Sequence, residues 1–70
     1  MLTNKEALDL YADITGDNVA ELYDEEIHEI IETIRRVREA TTEEGAMVNI
    51  LHWGRDEEWT KIRVGKIRRA

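Results

Sequence analysis

The side chains with the greatest chemical capacity in this 70-residue chain are carboxylates and two histidines. Glu25-Glu26-Ile27-His28 has the spacing Glu-x-x-His, which sets a carboxylate and an imidazole on one face of a helix, as in di-iron carboxylate bundles. Asp24 and Glu32, each four residues from His28, would add oxygen ligands. The same helical phase, however, turns His28 into a polar arc, away from the apolar side where metal ligands would have to converge. The motif therefore reads as a solvated face laced with helical ion pairs, and no metal site is expected. His52 reads as a satisfied or partly exposed structural residue beside Thr60.

Covalent catalysis has little to work with. Serine and cysteine are both absent, so a nucleophile would have to be a threonine or a tyrosine, with no base and acid arranged around it. Gly16, Gly45, Gly54 and Gly65 stand alone, and no glycine-rich loop is present to cradle a phosphate. The expectation is a protein that is not an enzyme and carries no cofactor.

Binding chemistry is better represented. Met47, Leu51, Trp53, Trp59, Lys61 and Arg63 lie close together in sequence, and tryptophan, methionine and arginine are enriched at protein interfaces. The same stretch supports an alternative, in which Trp53 and Trp59 stack on bases while Lys61, Arg63, Lys66, Arg68 and Arg69 follow a phosphate backbone. Asp56, Glu57 and Glu58 offset part of that basic charge. The carboxylates from Asp13 to Glu32 could also imitate the charge of a nucleic acid, but an acidic outer face is what any amphipathic helix presents.

The elements that must position these residues follow from periodicity. Thr3-Asn4-Lys5-Glu6 has the form of a capping box, and Ala7, Leu8, Leu10, Tyr11 and Ile14 continue at helical spacing up to Gly16, which predicts a helix over about 4–15. Asn18-Val19-Ala20-Glu21 repeats the capping pattern and predicts a longer helix over about 19–40. On it, Tyr23, Ile27, Ile30, Ile34 and Val37 step by four and three in a heptad seam. Thr41 to Gly45 reads as a connection. Residues 47–53 and 59–64 are rich in β-branched and aromatic types around a polar stretch that begins at Gly54, which predicts a β-hairpin over about 46–65. Pairing Trp53 with Trp59 sets Ile50 against Ile62 and Val48 against Val64. Those four then share one face, and Met47, Asn49, Leu51, Trp53, Trp59, Lys61 and Arg63 the other. A helix beginning at Asp56 is the competing reading, weakened by Thr60, Ile62, Val64 and Gly65. Residues 66–70 read as a basic tail.

The expected architecture is therefore a single α+β domain, two antiparallel helices and a C-terminal hairpin around one core. So short a chain has little core to spare, and without cysteine its remaining means of reinforcement is self-association. No apolar run is long enough for a membrane span and no signal peptide is visible at Met1, which suggests a cytoplasmic protein. Residues 1–45 hold 13 acidic and 4 basic side chains, net −9; residues 46–70 hold 3 and 6, net +3; together they make the overall −6. That balance argues against nucleic-acid binding by the whole chain, though not by its second half. The reading is a small non-enzymatic protein-interaction module, self-associating as a homodimer through the helix seam or the outer hairpin face. In size and in what it lacks, the chain resembles in a general way the small accessory proteins of phages and mobile elements, a likeness that no motif carries.

Overall fold

The computed structural model describes residues 2–50, Trp53 and residues 56–70. Among them are four α-helices and no strand: α1 (Asn4–Thr15), α2 (Asp24–Glu39), α3 (Glu43–Ile50) and α4 (Glu57–Arg69). The chain is a small all-α fold, and the α+β expectation is wrong over its second half.

The start of the chain behaves as its sequence demands. Thr3 Oγ1 accepts from Glu6 N at 3.1 Å and Glu6 Oε1 accepts from Thr3 N at 3.0 Å, so two orphan amides of α1 are satisfied reciprocally. The bond from the Thr3 amide, together with that from its side chain, holds the Glu6 carboxyl below its ordinary value. Gly16 ends α1 at φ 78°, a left-handed conformation that glycine adopts without steric cost, and its N–H returns to Ala12 O.

The second helix begins later than its periodicity suggests. Asn18 Oδ1 accepts from Ala20 N and caps a single 3-10 turn, Val19–Glu21. Leu22 and Tyr23 are then extended, and α2 starts at Asp24 with Glu26 Oε1 accepting from Tyr23 N at 3.2 Å. This break removes Tyr23 from the seam: it is 79 % exposed, whereas Ile30, Ile34 and Val37 are buried and Ile27 partly so. Asp24, Glu25 and Glu26 in the first turn and Arg36 and Arg38 in the last suit the helix dipole.

The hairpin is replaced by α3 and α4. Thr42, expected in a connection, instead caps α3: its Oγ1 accepts from Gly45 N at 3.0 Å. Ala46, Met47 and Ile50 then turn inward at helical spacing. Asp56 caps α4, its Oδ1 accepting from Glu58 N at 2.9 Å. Thr60, Arg63, Val64 and Ile67 face the core at i, i+3, i+4 and i+7. Over residues 59–64 a period of two and a period of 3.6 both sort some apolar residues inward. Ile67 lies outside any six-residue strand and carries the helical phase one turn further. The proposed partners are accordingly split: Ile50 and Val64 are buried, while Val48 is 69 % and Ile62 55 % exposed.

The core draws on every helix: Ala7, Tyr11 and Ile14 from α1, Ile30, Ile31, Ile34 and Val37 from α2, Ala46, Met47 and Ile50 from α3, Val64 and Ile67 from α4. Helix α2 is central and touches the other three. Two of its arginines act as ties. Arg35 Nη2 donates to Asn4 Oδ1 at 2.6 Å. Arg38 Nη1 donates to Ile67 O at 2.9 Å, a carbonyl that also accepts from the Ala70 cap amide at 3.4 Å, and to Ala70 O, so it ties α2 to the end of α4. Residues 66–69, expected to be part of a loose basic tail, are the last turn of a helix held in this way.

Candidate functional site

The predicted outer hairpin face is dispersed by the helical fold. Met47 is buried in the core. Leu51 and His52 lie outside the described residues. Trp53 is half-buried, its ring edge-to-face with Tyr11 at 5.0 Å between centroids and 77° between planes. Lys61 is exposed on α4, and Arg63 is buried, at 3 % exposure. Trp59 is 48 % exposed.

What the fold assembles instead is an outward face on α4. With Thr60, Arg63, Val64 and Ile67 turned in, the helical phase carries Trp59, Ile62, Lys66 and Arg69 along one outer stripe at i, i+3, i+7 and i+10, and Lys61, Gly65 and Arg68 beside it. A groove of about 470 Å³ runs along this second row, lined by Lys61, Ile62, Val64, Gly65, Arg68 and Arg69 against Glu43 of α3. Arg69 Nε donates to Gly65 O at 3.0 Å, which lays that side chain along the helix.

Arg63 organises the start of the stripe from beneath. Its guanidinium carbon lies 3.4 Å from the centroid of the Trp59 ring, and its Nη1 donates to Trp53 O. One side of the indole is thus held by a buried cation while the rest remains open to solvent. A fixed aromatic ring loses little conformational entropy when something docks on it. Sequence reasoning assigned Arg63 to the exposed face; the sign of its true position was the i, i+3, i+4, i+7 pattern that it shares with Thr60, Val64 and Ile67.

Charge is segregated. Beyond Glu58, α4 carries basic side chains and no acidic ones, whereas Asp24, Glu25, Glu29 and Glu32 of α2 are exposed with His28 among them. Glu25 and His28 sit on the solvent side as their spacing suggested, and no group of three histidine or carboxylate side chains among the described residues could hold a metal ion. The Tyr11 phenol, too, responds to its surroundings. Burial first, and then the Asp17 carboxylate that accepts its hydroxyl at 2.7 Å, push the Tyr11 phenol above its ordinary 10.0.

No family model, no curated protein and no solved structure matches this chain. Among the described residues no helix is long and apolar enough to cross a membrane.

Proposed function

We propose that this chain is a small, non-enzymatic interaction module that engages another protein, in the first instance a second copy of itself, through the outward face of α4. The observation that supports this reading is Trp59, held on one side by Arg63 and half open on a face that also exposes Ile62. Tryptophan anchors of this kind dominate interface energetics. Covering the open half of the indole removes roughly 100 Å² of apolar surface from water, which is about 2.5 kcal/mol at 25 cal/mol per Å². A cytoplasmic setting is proposed with it, on the ground of the missing cysteines.

Light scattering coupled to size exclusion over a range of concentrations tests the self-association. The parent should run as a dimer that dissociates on dilution, and Trp59→Ala with Ile62→Ser should run as a monomer of unchanged helical content. Equal masses for parent and variant at every concentration would remove the proposal. A second reading rests on Lys61, Lys66, Arg68 and Arg69, four exposed cations on one helix. Were that face to follow phosphates, oligonucleotide affinity would fall steeply with salt, and each lysine replaced by alanine would reduce the salt slope by about one.

A further inference from the structure

A second groove, of about 410 Å³, runs beside α2 and is not part of the α4 face. Its chemistry is one-sided. Glu26, Glu29 and Glu32 line it with their carboxylates, and Tyr11 and Trp53 line it with the edge-to-face ring pair. Two of the carboxylates are partly engaged: Glu26 accepts from the Tyr23 amide, and Glu32 Oε2 lies 3.4 Å from Arg36 Nη2. Glu29 has no partner among the described residues. Thr33 also opens onto the groove; it is only 7 % exposed, and its Oγ1 finds no hydrogen-bond partner among the described residues. Asn49 Nδ2 donates to Gly45 O at 2.9 Å, which commits the donor end of that amide to α3 and leaves its oxygen as an acceptor.

The Thr33 hydroxyl is not fully enclosed and opens to the groove, where it can accept from a donor that enters. Apart from Arg36, already paired, the charged and amide groups at this groove present acceptors, with aromatic faces beside them. A metal ion does not match, because no three ligating side chains among the described residues converge. A planar cation with several N–H donors does: guanidinium has five in a fixed fork and stacks on aromatic rings as well. We propose that this groove is a binding subsite for a guanidinium group, the side chain of an arginine on a partner polypeptide. Glu29 supplies the charge-assisted bond, Thr33 Oγ1 and the Asn49 amide oxygen accept from the remaining N–H groups, and the ring pair covers the plane. The proposal stands or falls separately from the α4 face.

The test uses the full chain carrying Trp59→Phe, which leaves Trp53 as its single tryptophan. Trp53 fluorescence and the amide resonances of Thr33 and Asn49 are followed during titration with acetyl-Gly-Arg-Gly-amide, and with the same peptide carrying citrulline or lysine. Saturable changes with the arginine peptide are expected, with binding about tenfold weaker or worse for both substitutes, and a loss of about tenfold on Glu29→Gln. Because Glu29 is solvent-exposed, that variant should keep the parent circular dichroism. Equal binding of the citrulline peptide, or binding unchanged by Glu29→Gln, would overturn the proposal.

Discussion

The contact between Arg63 and Trp59 lends itself to a double-mutant cycle, because it joins the stability of the fold to the surface proposed for binding. The variants are Arg63→Met, Trp59→Leu and the pair. Burying a guanidinium with no carboxylate partner among the described residues costs free energy, while its bond to Trp53 O recovers some. Both contributions change in each arm that alters Arg63, so they cancel in the coupling and leave the cation–ring interaction. At 3.4 Å from the centroid the geometry is close. Such interactions are worth about 0.5–1 kcal/mol when exposed and about 2 kcal/mol or more when desolvated. With the cation at 3 % exposure and the ring at 48 %, an intermediate coupling of about 1 kcal/mol is expected. Urea denaturation followed by circular dichroism measures it as the departure from additivity, and a change of that size shifts the melting temperature by roughly 4–8 °C in a domain this small. A coupling indistinguishable from zero would refute the idea that Arg63 holds the indole in place.

Gly65 lies within α4, and a Cβ built there would meet only the tip of Arg69, at 3.4 Å, so Gly65→Ala should stabilise the protein by about 0.5–1 kcal/mol, read from its urea midpoint. A loss of stability would argue against helix at this position. Tyr11 sets a dependence on alkaline pH. Its phenol ionises less readily folded than unfolded, so its contribution to stability is fully present below 10.0 and is lost as pH rises through the higher folded value. The phenolate absorbance that vanishes in Tyr11→Phe should therefore be a transition above 10.0, and a transition at or below that value would contradict the burial of this ring.

Where one local signal and one period agreed, the sequence alone was sufficient. The capping box of Thr3 and Glu6, the stop at Gly16 and the inward residues Ile30, Ile34 and Val37 all occur as their spacing requires. Each depends on contacts within a turn or two of chain, which the order of residues already contains. The exposure of Glu25 and His28 is legible for the same reason.

The second half of the chain was decided by tertiary structure. Trp59 to Val64 suits a strand by propensity, yet β preference largely measures fit to a half-buried surface, and here α2 and α3 provide that surface to a helix. Only once α4 lies against them do Asp56 as cap, Ile67 as an inward residue and Arg38 as the tie on its final carbonyls act together. The candidate site divides in the same way. Lys61, Lys66, Arg68 and Arg69 could be named from composition, but Arg63 left that set for the core, Met47 joined the core, and Trp53 went to Tyr11. A one-dimensional pattern assigns a residue to a face. Whether another helix covers that face depends on how four helices meet, which is a property of the folded chain.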